Sequence, residues 1–537
     1  MDERTRLASV RQLPRVLLGV LLAGALLLLG RVAGVLPLWY DEHLTVRLAD
    51  LPSITDIWRA LAAGFDFNPP LNYILTRWAR HLAVASDPLA GRLPALAGLA
   101  LLVTGLFATL ERRIGSWYAL GAVAPVLLTS VAVQYSTDAR PYMLLAGVAA
   151  WALHFRQRAG ARDGRLAWPS ALGLAVCTGA ALLLHVWGTL LLAVLVAGEL
   201  VIAARERRVR IGPASALAAA APLTAIYVPL VRASRGLVFD NEVYAPGLNK
   251  LAEVLASGRP PVRYLLPLVL ATAAAGYLTS RRQAHAPRTG TLALDEWVVG
   301  ALLVASPLVP WTLAVVTGGV FMPRYGCLAI VGGVLLGGGL LNWIGRRREA
   351  AGAAAAVVAL LSAAVYLPNR LAGSIPSEPA SIRSLRSAAD LLEPDVPILL
   401  VNPTDILPFD HGADDAWLPR VFYVADEGLA VEYTGTNAID LSYIRGEPYL
   451  GMRLARFTRH DIARASRLYL LGRSQALTWL PQYLEDNGWT ITDVGGLPTS
   501  PIRLAVRQPD LPAPPPESSR SPQATAAPSA LETPAAP

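Results

Sequence analysis

The side chains able to do chemistry in this sequence fall mainly in short polar interruptions between apolar runs. The first interruption is Trp39-Tyr40-Asp41-Glu42-His43, directly after an apolar run over 16–38. A carboxylate shielded there by aromatic rings has the basicity to take a proton from a hydroxyl. Capping an interfacial helix is the other role open to Asp41. Neighbouring residues of a helix do not face the same way, so at most one of Asp41 and Glu42 does the chemistry. The second interruption is Gln134-Tyr135-Ser136-Thr137-Asp138-Ala139-Arg140-Pro141-Tyr142. Asp138 and Arg140 can pair with each other, and the planar fork of Arg140 also suits a phosphate. The third is Phe321-Met322-Pro323-Arg324-Tyr325, where Arg324 either anchors a helix at the headgroups or faces an anionic lipid head. His185 lies in a tight turn, Leu184-His185-Val186-Trp187-Gly188, as an ordinary interfacial side chain or as a ligand. Asn68-Pro69-Pro70-Leu71-Asn72-Tyr73 is a rigid turn entering a helix.

The elements that must position these residues are membrane spans. The chain has 537 residues, 54% hydrophobic and 16% charged, with a mean hydropathy of +0.42. That composition excludes a disordered chain or a coiled coil and predicts a multi-span protein. The net charge of +8 comes from arginine, since Lys250 is the only lysine. Ala, Gly and Pro are abundant too, which fits a coding bias, and no nucleic-acid partner is expected. Cys177 and Cys327 sit in apolar runs and predict neither a disulfide framework nor a cysteine metal site.

Apolar runs follow at 92–110, 116–134, 138–154, 167–184, 186–203, 212–230, 264–280, 296–316, 324–343 and 350–367. With the first run they predict about eleven helices of bilayer length. The first run ends in Leu-Pro-Leu-Trp-Tyr and not in a cleavage site, so it is taken as a retained helix and not a signal peptide. Arginine clusters at 112–113, 156–165, 205–210, 281–282 and 346–348 share one side with the N-terminus, which places that side in the cytoplasm. Loops 39–91, 135–140, 231–263 and 317–323 then lie outside, with everything after 368. Segment 39–91 predicts one or two amphipathic helices lying on the outer surface.

From 371 to 510 apolar runs shorten to strand length, at 396–401, 420–424, 467–471 and 502–506, with helical stretches at 381–392 and 476–485. This pattern predicts a small α/β domain outside the membrane, with a lid or docking role. It has no phosphate loop and no dinucleotide fingerprint. Residues 511–537 are a Pro/Ala-rich tail that cannot fold alone.

Every polar cluster lies on the outer side. A transporter would carry polar groups near the midplane or on both sides. A scaffold would leave the ordered clusters unexplained. A one-sided active site acting on lipids with anionic heads accounts for them.

The motifs Trp-Tyr-Asp-Glu, Asn-Pro-Pro-Leu-Asn-Tyr, Gly91-Arg92-Leu93-Pro94, Tyr-Ser-Thr-Asp-Ala-Arg-Pro-Tyr and Pro-Arg-Tyr, in this order over residues 10–370, resemble the bacterial GT-C glycosyltransferases of family 39. That group is related to the protein O-mannosyltransferases and the lipid A aminoarabinose transferase. The resemblance implies a helical GT-C bundle in the bacterial cytoplasmic membrane and a polyprenyl-phosphate-sugar donor. It implies sugar transfer on the outer side to an envelope glycan, lipid or protein. It assigns Asp41 as base, with Glu42 and Asp138 shaping the catalytic site. It sets Arg140 and Arg324 on the lipid phosphate, with Tyr142, Tyr325, Asn68 and His185 lining the substrate site. Two departures stand out: Asn68 replaces the usual His, and Asp138 the usual Glu. A divalent metal is left open, and no other cofactor is expected.

Overall fold

The computed structural model describes residues 3–82, 86–160, 167–282, 289–372 and 378–508. The chain opens with α1 (Glu3–Val35), followed by α2 (Tyr40–Ala49), α3 (Ile54–Ala62) and α4 (Leu71–Leu82). Next come α5 (Asp87–Ile114), α6 (Ser116–Val123), α7 (Ser130–Ser136), α8 (Tyr142–Ala159), α9 (Trp168–Leu184) and α10 (Gly188–Glu206). Then follow α11 (Ile211–Ala220), α12 (Tyr227–Ala233), α13 (Leu248–Ser257) and α14 (Val262–Arg282). The bundle closes with α15 (Leu294–Ala305), α16 (Leu308–Thr317), α17 (Cys327–Ile344) and α18 (Glu349–Leu371).

Eight helical segments among the described residues are long and apolar enough to cross a bilayer, and a ninth is the bent pair α6 and α7. With α8 and the 17-residue α9, every predicted run is helical. The chain is a multi-pass membrane protein. One expected continuous span is broken, with a 69° bend between α6 and α7. Pro125 opens a 3-10 turn there. Thr129 then goes extended, and its side chain caps the Ala132 N–H to restart the helix.

Helices α5 and α8 pack backbone to backbone. A Cβ on Gly98 would lie 2.4 Å from the Leu144 nitrogen, and one on Gly147 would lie 2.5 Å from the Gly98 carbonyl oxygen. Small residues permit this approach in a bundle where dispersion replaces the hydrophobic effect. The contact sets the start of α5 against the linker before α8, where a Cβ on Gly91 would lie 3.8 Å from the Ala139 Cβ. At the far end of α5 the arginine-rich helix ends are tied by ion pairs. Arg113 meets Glu296 at 2.7 Å. Arg156 meets Glu199 at 2.7 Å and Asp295 at 2.9 Å.

Segment 39–91 differs from expectation. It carries three helices, and α2 is not on the surface: eight of its ten residues are buried. Its apolar side chains Leu44 and Leu48 join one core with Leu407, Phe409, Tyr443 and Leu450 of the C-terminal domain. Helices α3 and α4 keep exposed apolar residues, Ile54, Trp78 and Leu82.

The C-terminal domain is α/β, as predicted. It runs α19 (Ala380–Ser387), β1 (Ile398–Leu400), α20 (Ile406–Gly412), β2 (Val421–Tyr423), α21 (Glu427–Thr434) and α22 (Ala438–Leu450). It continues with β3 (Ala455–Arg456), α23 (Arg459–Arg464), β4 (Arg467–Leu471), α24 (Leu480–Asp486), β5 (Trp489–Leu497) and β6 (Ser500–Arg507). The sheet order is β3-β2-β1-β4-β6-β5. The first four strands are parallel, and β6 and β5 close the edge antiparallel. The four predicted strands are β1, β2, β4 and β6. β3 has two residues, and β5 is a half-exposed edge strand without an apolar run, so neither has a sequence signal. The Pro/Ala-rich tail lies outside the described residues.

Gly98→Leu is expected to force α5 and α8 apart, at about 1–3 kcal/mol for overpacking. Thermal unfolding in detergent should register this as a lowered midpoint. Gly333→Leu is the control, because nothing lies within 4 Å of a Cβ there, and it should leave the midpoint unchanged.

Candidate active site

The end of the bundle that carries α2 is organised around Glu42. This side chain is fully buried. The Arg92 Nε donates to Glu42 Oε1 at 2.6 Å, and Nη2 donates to Oε2 at 2.5 Å. Oε1 also accepts the Ala139 N–H at 2.7 Å, and Oε2 accepts the Trp39 N–H at 3.1 Å. The rest of the Arg92 fork donates to the carbonyls of Ala33, Leu36 and Pro37 at the end of α1. One ion pair therefore ties α1, α2, α5 and the linker before α8 together. Glu42 is saturated with donors.

Asp41, one residue away, points elsewhere. Its Oδ2 accepts from Arg324 Nη1 at 2.9 Å. Oδ1 accepts no hydrogen bond among the described residues, and the side chain keeps 13% exposure. Arg324 comes from the 3-10 turn Pro323–Gly326 that precedes α17.

Arg140 is buried and does not pair with Asp138, correcting one of the two roles open to it. Its Nη1 donates to Asp66 Oδ2 at 2.7 Å, to Thr45 Oγ1 at 3.2 Å and to the Asp41 carbonyl at 3.3 Å. Its Nε is buried without a partner among the described residues. Asp66 in turn accepts from the Phe67 N–H at 2.7 Å and from Asn68 Nδ2 at 3.2 Å. Burial works to raise the Asp66 carboxyl, but Arg140, together with Tyr73 and the Phe67 N–H, outweighs it and holds the group below the usual carboxylate range. Asp66 was absent from the sequence-based site. Its one signal was a lone charge between Phe65 and Phe67, two residues before the Asn-Pro-Pro turn.

Asp138 accepts from the Trp39 indole Nε1 at 3.1 Å. Burial first, then the charge of Glu42, push its carboxyl up to about 7. His185 is buried, and its Nδ1 accepts the Trp187 N–H at 3.1 Å. Burial, reinforced by the charges of Arg140 and Arg324, lowers it to about 3, so it is neutral. Rings close the wall around the two arginines: Tyr142 against His185 at 5.4 Å, and Trp187 against Tyr325 at 5.1 Å. Asn68, Tyr142, His185 and Tyr325 thus gather near Asp41, Arg140 and Arg324.

The carboxylates do not suit a divalent ion. Asp41, Asp66 and Glu42 each face a guanidinium, and no group of three or more His, Cys, Asp and Glu converges among the described residues. An apolar groove of about 390 Å³ opens between α4, α9 and α11. It is lined by Leu71, Val176, Gly179, Ala180, Leu183 and Leu223 among others. Leu71 starts α4, three residues beyond Asn68.

No family model and no curated protein matches the chain. The structure of ArnT from Cupriavidus metallidurans bound to undecaprenyl phosphate is similar, with a TM-score of 0.52 at 14% identity. The match covers 90% of this chain and 97% of that one. The apo form of ArnT gives 0.49 at 14% identity, over the same shares of both chains. An Archaeoglobus fulgidus oligosaccharyltransferase in complex with Zn and sulfate gives 0.44 at 10% identity, over 92% of this chain and 74% of that one. The likeness to the first structure is one of fold.

The raised Asp138 carboxyl predicts a pH-dependent stability. The folded protein retains this proton where the unfolded chain has lost it, so the group's contribution falls as pH rises from about 4 to about 7. Asp138→Asn should remove that slope. Unfolding midpoints across this range check it, and an unchanged slope in the variant would assign the titration elsewhere.

Proposed function

We propose that the protein is an integral membrane glycosyltransferase acting at the outer face of the bacterial cytoplasmic membrane, with its N-terminus in the cytoplasm. It moves a sugar from a polyprenyl-phosphate donor to an acceptor hydroxyl on an envelope glycan, lipid or protein. The observation that carries this is the convergence of Asp41 with the guanidinium groups of Arg324 and Arg140 at one end of a GT-C bundle. The similar ArnT structure is bound to undecaprenyl phosphate, which supports a lipid of that class as donor.

In the proposed reaction Asp41 takes the proton of the acceptor hydroxyl. The acceptor oxygen forms a bond to the anomeric carbon as the bond from that carbon to the phosphate oxygen breaks. The electron pair leaves with the lipid phosphate, and the configuration inverts. The leaving group is already anionic, so it needs cations more than a proton. Arg324 and Arg140 supply them, the latter with its unpartnered Nε. Glu42, saturated by Arg92, and Asp138, held by Trp39, position rather than react. The isoprenoid chain is assigned to the apolar groove between α4, α9 and α11, whose wall includes Leu71, three residues beyond Asn68. No step is assigned to a metal.

Membranes containing the protein, given labelled polyprenyl-phosphate sugars and an envelope extract, should form a labelled product. Asp41→Asn should abolish it, and Arg324→Gln or Arg140→Gln should each lower the rate about 10²–10³-fold. Equal product from wild type and Asp41→Asn would remove Asp41 from the mechanism. Substrate movement with no covalent product would favour a flippase instead.

The groove makes a separate prediction. Ala180→Phe should raise KM for a long-chain donor by about tenfold, for the loss of roughly 1.4 kcal/mol of binding. KM for a short-chain, water-soluble donor should stay unchanged. Equal effects on both would place the chain elsewhere.

A further inference from the structure

The C-terminal domain contributes no group to the proposed chemistry, yet it grips the helix that carries Asp41. Arg47, on α2, is the point of grip. Its Nη1 donates to the Leu450 carbonyl at 2.6 Å and to the Gly451 carbonyl at 3.1 Å. Its Nη2 meets Asp410 Oδ2 at 2.5 Å. Asp410 is fully buried. Its other oxygen accepts the N–H groups of Arg453 and Leu454, each at 2.8 Å. Arg47 is therefore built into the fold of the domain: it satisfies carbonyls at the end of α22 and neutralises a charge that has no access to water.

The geometry of α2 gives this grip a consequence. Asp41 and Arg47 are six residues apart, about 9 Å along the axis. At about 100° per residue, the side chains of Asp41, Glu42 and Arg47 leave the helix in three well-separated directions. Glu42 is locked to Arg92 on the bundle side. Arg47 is locked to Asp410 on the domain side. The remaining direction points Asp41 at Arg324. Arg77 of α4 holds the backbone beyond, donating to the carbonyls of Ala49, Leu51 and Pro52. That contact fixes where the helix ends but not how it is turned. Rotation about the axis is set by the two side-chain clamps together with the packing of Leu44 and Leu48.

We propose that Asp410, through Arg47, is a positioning residue for Asp41, so that the C-terminal domain sets the aim of the catalytic base. The proposal rests on Asp41 being the base.

The test uses the full-length protein in detergent micelles and compares Asp410→Asn with wild type, Asp41→Asn and Asp415→Asn. Asp415 is 95% exposed in the same domain, and its variant should behave as wild type. Three quantities are measured: the unfolding midpoint, the binding of undecaprenyl phosphate, and kcat for sugar transfer. Asp410→Asn should lower kcat by about 10–100-fold, the range a misplaced group produces, with undecaprenyl phosphate affinity within about twofold. A merely structural role would move midpoint and affinity along with kcat. Folded Asp410→Asn with wild-type kcat, while Asp41→Asn is inactive, would overturn the proposal. Full activity in Asp41→Asn would instead overturn the assignment of the base. Should Asp410→Asn not accumulate, Arg47→Lys carries the same test. It keeps a charge near Asp410 but cannot reproduce the fork to Leu450 and Gly451.

Discussion

The buried pair Glu42–Arg92 is the constraint on which the α2 end of this bundle depends. Two charges taken out of water are costly, and their attraction offsets that cost only when every remaining donor and acceptor is used. Here they are used. Arg92 spends its spare N–H groups on three carbonyls at the end of α1, and Glu42 accepts two backbone N–H groups besides the guanidinium. Removing one partner would strand a charge and release four chain segments together. The close approach of α5 and α8 at Gly98 and Gly147 makes the pair possible, because it brings the start of α5 against the linker that carries Ala139.

With that frame fixed, two further pairs are held at the same end in a drier setting than a surface. Asp41 meets Arg324, and Asp66 meets Arg140. The carboxylates differ in how far they are committed. Glu42 is saturated, and Asp66 has donors on both oxygens. Asp41 has a donor on one oxygen only and retains some exposure. Adjacent residues on one helix thus divide into a structural carboxylate and one that remains available, and the division comes from helix geometry and not from residue type.

Much of this was legible in the sequence. Bilayer-length apolar runs announced the candidate spans, because a spanning helix must be apolar over its whole length. The bend between α6 and α7 was not legible, since a helix broken by Pro125 and Thr129 keeps the same hydropathy. The four core strands were readable from β-branched and leucine-rich runs, whereas β5 and β3 lacked them. The polar clusters gave most of the site, but their pairing could not be read. Asp138 and Arg140 looked like partners because they are close in sequence. Asp66, from another loop, takes the arginine, because partner choice in a folded chain is decided by tertiary distance. The burial of α2 was missed for a related reason. Its polar residues suggest an exposed interfacial helix, and their partners Arg92 and Asp410 lie 50 and 363 residues away.

The arrangement also bears on how the proposed transfer would handle charge in a dry site. Before reaction, a donor phosphodiester and Asp41 each carry one negative charge. Afterwards Asp41 is neutral and the released phosphate monoester has gained the charge. The total is unchanged, and what moves is its position, from the carboxylate to the leaving oxygen. A medium that solvates charge poorly penalises new charge far more than a short displacement of existing charge beside a fixed cation. Arg324, already 2.9 Å from Asp41, is the cation beside which that displacement would occur. Arg140, anchored by Asp66, would hold the phosphate end in place. A base that starts paired to the cation that would later steady the leaving group would leave neither charge unbalanced at any stage.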